Sequence, residues 1–178
     1  MNEISLKDYK IILLESDQSE SFFKLIDDNR ERLESFFAGT VSRTKTLDDT
    51  IKYCKLIEDK IIAKTYLPFM IVDGTSDSFV GLIDVKNIDW SIPKAEIGYF
   101  IDVNYEGKGI ISEGLGLLVA YLVDTYQFKK LLCRANSKNA GSLKVALKNG
   151  FELEGTIRRD YKTTEGELVD LNYYGRIF

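Results

Sequence analysis

Histidine is absent from the chain. Its absence excludes the Ser-His-Asp and Cys-His catalytic arrangements and every histidine-ligated metal site. Proton transfer is left to carboxylates, Tyr, Ser, Lys, Cys, a terminus or water. Cysteine is scarce: Cys54 and Cys133 stand far apart, with no CxxC or metal-binding spacing, so no metal site is expected. Two unlinked thiols suit a reducing compartment and read as small packed residues. Proline occurs twice, and there is no long Gly/Ser-rich stretch, so no linker is visible. No run approaches the roughly 18 apolar residues of a membrane span. The opening "MNEISLKDYK" lacks a basic segment followed by an apolar one, so no secretory signal is expected and the expected location is the cytoplasm. Basic excess is lacking too: the net charge is -4, which points away from nucleic acid and anionic membranes.

The chain has 178 residues, 44% of them hydrophobic, which is enough for one domain of ordinary size with its own core, residues 1–178. "KIILLES" (Lys10–Ser16) reads as a short buried strand. Asp17 followed by Glu20 has capping-box spacing, and Phe22, Ile26, Leu33 and Phe37 recur with helical period, predicting one helix over 18–37. "GTVSRTK" breaks it. Thr46 with Asp49 starts a second helix with Ile51, Cys54, Ile57 and Ile61 on its apolar face. The period then changes. "YLPFMIVD", "FVGLIDVKNI" and "AEIGYFIDV" read as strands, the first two joined by the polar turn "DGTSDS". A long helix follows from Ser112, its plausible cap, with Leu115, Leu118, Val119, Leu122 and Val123 on one face. "KKLLCRANS" is a strand. "NAGSLKVALKNG" is a short helix beginning near Asn139 and stopped by Gly150. Two last strands are joined by "TTEGE" with Gly166 in the turn. The order is β-α-α-β-β-β-α-β-α-β-β, a mixed sheet with helices packed on it.

Between the third strand of the middle group and the long helix lies "NYEGKGII", Asn104–Ile111. A strand that delivers a glycine-rich loop to a helix N-terminus makes an anion site. The first helical N–H groups lack intrahelical partners, and the helix dipole favours negative charge. Gly107 and Gly109 allow unusual dihedrals and close approach of backbone to phosphate, and Lys108 adds a cation. Neither the Walker spacing nor G-x-G-x-x-G is met, because Ile110 follows Gly109 and Ser112 stands three beyond it. On spacing alone a plain turn remains open.

Three stretches in order, "AEIGYFID", "YEGKGIISEGL" and "NAGSLKVALKNGFELEGTIRR", resemble the GNAT family of N-acetyltransferases, and within it the RimJ/RimL-like branch that acetylates α-amino groups of ribosomal proteins. The resemblance covers nearly the whole chain, including the "NRERLESFF" segment. It implies the α/β GNAT fold, with a mixed, mostly antiparallel sheet splayed at the centre and helices on both faces. It implies acetyl-CoA as cosubstrate and no metal. The pantetheine arm would lie along Ile101, Asp102 and Val103, and the pyrophosphate on Gly107, Lys108, Gly109 and Ile110. Asn139 would hydrogen-bond the cofactor, and Ser142 would protonate the leaving thiolate. The family pattern Q/R-x-x-G-x-G/A has Asn104 at its first position here, which removes one phosphate-facing side chain.

Acetyl transfer to an amine needs a neutral amine, a donor for the oxyanion and a way for the thiolate to leave, with positioning in a ternary complex supplying much of the acceleration. A backbone N–H near Val103 is the expected oxyanion donor. Glu96, at the start of the cofactor strand, is the expected base, acting through water with its pKa raised by half-burial. Tyr66, Asp84, Tyr173 and Tyr174 are held in reserve. The acceptor is a protein or peptide N-terminus. The alternatives are a small amine (antibiotic, polyamine or amino acid) and a non-catalytic acyl-CoA-binding protein. Residues 38–45 and the "TTEGE" hairpin are expected to shape the acceptor side. Homodimers that use the C-terminal strands are common among such proteins.

Overall fold

The computed structural model describes residues 3–178. Its first element is one the sequence pattern does not announce. Ile4–Leu6 (β1) turns back at Lys7, which has a φ of 50°, into Tyr9–Leu13 (β2). The expected strand at Lys10–Ser16 therefore begins and ends earlier. Ser16–Gln18 forms one turn of 3-10 helix, in which the Glu15 N–H donates to Gln18 Oε1 at 3.0 Å. Asp17 lies inside that turn and does not cap the next helix.

The expected helix over 18–37 is two. Ser19–Asp28 (α1) stops at Asn29 and Arg30–Leu33 (α2) restarts, because Asn29 sits at φ −119°, ψ 9°. The supposed break "GTVSRTK" instead winds into a short helix, Ala38–Arg43 (α3). Leu47–Ile62 (α4) begins as predicted, with Thr46 Oγ1 accepting the Asp49 N–H at 3.1 Å. Tyr53 joins Cys54 and Ile57 on its buried side, while Ile51 and Ile61 are only half-buried.

Leu67–Asp73 (β3), Phe79–Asp89 (β4) and Lys94–Ile101 (β5) form an antiparallel meander. Ile110–Tyr126 (α5) crosses over to Lys130–Ala135 (β6), which pairs parallel with β5. Ala140–Lys148 (α6) follows, with Asn139 as its cap and Gly150 at φ 74° ending it. Glu152–Lys162 (β7) and Leu168–Ile177 (β8) close the sheet, in the order β1-β2-β3-β4-β5-β6-β8-β7. The cap of α5 is Gly109, at φ 79°, and not Ser112, which is buried in the first turn.

The sheet carries a core on each face. One packs Ile71, Ile83, Ile97 and Cys133 against Leu115, Leu118 and Leu122 of α5 and Ala146 of α6. The other packs Met70, Val72 and Leu82 against α1, α2 and α4. Alternation along each strand feeds both. Gly114 lets α5 lie close to the sheet: a Cβ there would stand 3.2 Å from Leu6 Cδ2. The helices therefore lie on both faces, as the resemblance implies. Among the described residues, no helix is long and apolar enough to cross a membrane.

Candidate active site

The parallel pairing of β5 with β6 covers only Lys94–Ile97 against Lys130–Cys133. Beyond it each strand continues with its other neighbour. β5 stays on β4 as far as Ile101↔Gly81, and β6 stays on β8 as far as Ala135↔Asn172. The sheet forks there. The Asp102 N–H donates to Val80 O at 2.8 Å, towards β4. By the alternation of a strand, the N–H and C=O groups of Tyr99 and Ile101 therefore face the gap. An unpaired strand edge is a template for an extended, amide-bearing ligand.

The gap leads to the glycine loop. Gly107 and Gly109 both have positive φ, 74° and 79°, and neither has a close neighbour that a Cβ would strike. Their role is conformational. The first bond inside α5 runs from the Glu113 N–H to Gly109 O at 3.0 Å. The N–H groups of Ile110, Ile111 and Ser112 thus have no intrahelical acceptor, at the positive end of a 17-residue helix. Lys108 stands on an aromatic ring beside the loop. Its Nζ lies 4.6 Å from the Tyr105 ring centre, and Tyr105 is fixed by its hydroxyl donating to Asp73 Oδ2 at 3.2 Å. Asn104 Nδ2 donates to Asp102 Oδ1 at 3.0 Å, away from the nest.

Asp102, expected along the pantetheine arm, spends its polar groups inside the protein. Its C=O accepts from Tyr105, and its carboxylate accepts from Asn29 and Asn104. Burial raises its pKa, but these donors outweigh burial and leave it below the ordinary carboxylate value. The Val103 N–H, expected to meet the oxyanion, donates instead to Asn29 Oδ1 at 3.2 Å.

Across the gap, Asn139 Oδ1 accepts the Ser142 N–H at 3.1 Å, a helix cap. Its amide Nδ2 makes no hydrogen bond among the described residues. The Tyr99 hydroxyl donates to Ser142 O at 2.7 Å, tying the first turn of α6 to β5. Burial pushes the Tyr99 phenol far above its usual value, so this bond stays in the donor form. Ser142 itself is half-buried beside the fork.

Glu96 begins the same strand but is not a free carboxylate. Its Oε2 lies 2.9 Å from Arg134 Nε and accepts from Asn87 Nδ2 at 2.8 Å. The Arg134 contact is an ion pair without an aligned hydrogen bond, because that buried Nε finds no acceptor in line. Arg134 Nη1 reaches Asp160 Oδ2 and the Tyr173 hydroxyl, both at 3.3 Å, and the Tyr173 hydroxyl donates to Asp160 Oδ2 at 2.6 Å. The chain Glu96–Arg134–Asp160–Tyr173 was not legible as a unit in the sequence. Asp160 enters it through a break in the β7–β8 register between Ile157 and Tyr161, where Arg159 takes a φ of 54°. Of the reserve residues, Tyr66 and Asp84 also pair, hydroxyl to Oδ2 at 3.2 Å, with Lys86 beside the buried Asp84 at 3.3 Å. This second pair lies over Gly98 of β5, where a Cβ would stand 2.7 Å from Lys86 Nζ. Tyr174 is buried in the core of the opposite face. Cys133 is buried there too, and burial pushes its thiol far up.

Known proteins are similar to this chain in sequence and in fold. A family model described as an acetyltransferase (GNAT) domain matches residues 11–152. YdaF of Bacillus subtilis (strain 168), provisionally named a ribosomal N-acetyltransferase, is 34% identical over 172 residues, covering 92% of this chain and 88% of its own. The ribosomal-protein-serine acetyltransferase of Escherichia coli (strain K12) is 29% identical over 128 residues, covering 72% of this chain and 68% of its own. RimL, the ribosomal L7/L12 alpha-N-protein acetyltransferase solved with coenzyme A, has the same fold with a TM-score of 0.91 at 20% identity, covering 99% and 98% of the two chains. So has the ribosomal-protein-S5-alanine acetyltransferase of Vibrio fischeri, with a TM-score of 0.90 at 18% identity, covering 99% and 97%. The RimJ/RimL-like likeness in the sequence thus agrees with the forked sheet, the glycine nest and the matched length, and the chain belongs to the GNAT family of acetyltransferases.

Proposed function

We propose that the chain, acting as one domain, moves the acetyl group of acetyl-CoA onto the α-amino group of a protein or peptide, with a ribosomal protein as the favoured acceptor. The fork between β5 and β6, opening directly onto the α5 nest, carries this reading. The two features match the two halves of coenzyme A: an amide-bearing arm for the strand edge and a pyrophosphate for the backbone N–H groups. The relatives named for ribosomal proteins favour that acceptor.

Acetyl-CoA supplies the acetyl group as a thioester. Tyr99 holds the arm by its backbone groups and Ile101 by its C=O, Val103 flanks it, and Asp102 supports the strand end from behind. Gly107, Lys108, Gly109 and Ile110 hold the pyrophosphate, with Lys108 leaving Tyr105 to do so. Asn139 offers its unused amide to the arm. The Ile101 N–H, which faces the gap, takes the oxyanion. Glu96 receives the proton of the incoming ammonium through water, while Arg134 keeps it and Asp160 in place. Ser142 gives a proton to the departing sulfur and takes back the second proton that the acceptor nitrogen loses as the amide forms. A cytoplasmic location follows for an enzyme that meets ribosomal proteins and keeps two free thiols.

A small-amine acceptor is the second reading, favoured by a match to the L-amino acid N-acetyltransferase AaaT of Escherichia coli (strain K12), 27% identical over 95 residues. One experiment separates the two. Thiol release from acetyl-CoA is followed with N-terminal peptides of ribosomal proteins and, in parallel, with amino acids, polyamines and aminoglycosides. Turnover on peptides alone supports the proposal. Turnover on small amines alone transfers it to the second reading, and binding of acetyl-CoA without turnover on any amine leaves a non-catalytic protein.

A further inference from the structure

Asn29 interrupts what the apolar period predicts as one helix, and it does so 2% exposed. A primary amide has two donor hydrogens and two acceptor lone pairs. All four are engaged. Nδ2 donates to Leu25 O at 3.0 Å and to Asp102 Oδ2 at 2.8 Å. Oδ1 accepts the Val103 N–H at 3.2 Å and Arg32 Nη1 at 3.1 Å. Half of these bonds close the end of α1 and hold Arg32 of α2. The other half hold the segment that leaves β5, one at the Asp102 carboxylate and one at the Val103 N–H. Arg32 extends the link: its Nη1 reaches Ile101 O at 3.4 Å and its Nη2 pairs with Glu106 of the glycine loop.

The segment held in this way is the end of the free strand edge. Ile101 faces the gap, and Asp102 and Val103 are the residues Asn29 grips. A buried polar network with every member satisfied fixes one geometry, and losing a member leaves the rest unpaired in low dielectric. No side chain of similar size replaces Asn29. Aspartate lacks both donors and would face the Asp102 carboxylate, and leucine would orphan the Val103 N–H.

We propose that Asn29 is a positioning residue for the pantetheine arm. It sets the height and orientation of the β5 edge from α1 and α2, so that the cofactor cleft and these helices behave as one unit. This rests on the cofactor reading above. It goes beyond that reading by assigning part of the arm's affinity to a side chain that does not touch the arm.

The test compares two ligands on the full chain by calorimetry: acetyl-CoA, and its nucleotide part alone, 3′-phosphorylated ADP, which carries the pyrophosphate but no pantetheine. For Asn29→Ala, acetyl-CoA affinity is expected to fall about tenfold, the scale of one well-placed hydrogen bond, while the nucleotide's affinity stays within about twofold. A general loosening of the fold would weaken both ligands alike. Equal losses for both, or no loss for either, overturn the proposal. If Asn29→Ala does not fold by circular dichroism, Asn29→Ser, which keeps one donor and one acceptor at that position, takes its place. A loss of about threefold for acetyl-CoA alone is then expected, and an unchanged ratio overturns the proposal. A wild-type chain that binds the nucleotide but gains nothing from the pantetheine arm overturns this inference alone. A wild-type chain that binds neither ligand overturns the cofactor reading as well.

Discussion

Gly109→Ala isolates the conformation of the nest from its contacts. Gly109 caps α5 at φ 79°, ψ 1°, and the nearest atom to an added Cβ is Glu113 Oε1 at 4.0 Å. Steric overlap therefore contributes nothing, and the whole effect is the left-handed backbone. An L-residue there costs roughly 1–2 kcal/mol. The chain has two ways to respond. It can keep the loop and lose that much stability, about 2–8 °C in Tm for a chain of this size. Or it can relax the loop, turning the Ile110 N–H away, and regain the geometry only on binding. Acetyl-CoA affinity then falls about 5- to 30-fold. The two losses are complementary, so thermal unfolding and calorimetric titration of one variant must together account for the full amount. Because the nest is assigned to the pyrophosphate, any loss of affinity should be equal for acetyl-CoA and 3′-phosphorylated ADP. Gly155→Ala is the control, since Gly155 has neither a positive φ nor a neighbour within 4 Å. An unchanged Tm together with unchanged affinity in Gly109→Ala would refute the reasoning.

Gly98→Ala should act on the acceptor side instead. Its Cβ would strike the buried Asp84 carboxylate first and Lys86 Nζ next, breaking up that pair, destabilising the chain by about 1–3 kcal/mol and lowering kcat/KM for the peptide while acetyl-CoA affinity holds. A variant with normal peptide kinetics would show that this pair is remote from the acceptor. Asp102 should contribute to the acid limb of stability. Its folded pKa is depressed, so its contribution is present above its unfolded pKa of about 3.9 and is lost as pH falls through the lower folded value. Urea midpoints for Asp102→Asn should fall less steeply below about pH 4 than those of the parent chain, and identical acid limbs would contradict the assignment. Burial raises the Cys54 thiol to about 11 and Cys133 further, so neither should react quickly with a disulfide reagent at about pH 8 until the chain is unfolded. Rapid labelling of Cys133 in the native state would contradict its packing.

What the sequence made legible follows from locality. β3, β4 and β5 are apolar or alternating runs bounded by turns, and α4 carries a Thr46 cap and a periodic face, so each announces itself within its own window. The glycine nest was legible because φ near +75° is a demand that only the residue type reveals. β1 was not, because three residues turning at Lys7 carry no Asn-Gly or Asp-Gly signal. Ser112 misled because its hydroxyl suits a cap, whereas the left-handed Gly109 already ends the loop. The helix break at Asn29 is set by Asp102 and Val103, more than seventy residues away, and no periodicity encodes such a partner. The same holds for Glu96, Arg134, Asp160 and Tyr173. They lie on four strands and meet only through the sheet order and an irregular register in β7. The strand register at the fork, which creates the cofactor gap, entered the sequence reading only through the family resemblance.

The account's central claim is acetyl transfer at an α-amino group by way of the forked edge. The most direct measurement is mass spectrometry of a ribosomal-protein N-terminal peptide after incubation with the purified chain and acetyl-CoA, with free thiol counted in the same tube. The account predicts one acetyl group on the α-nitrogen, one thiol released per acetyl transferred, and no modification of an N-terminally blocked copy of the peptide. Acetylation of lysine side chains in the blocked peptide at the same rate, or acetyl-CoA bound with no thiol released, would contradict it.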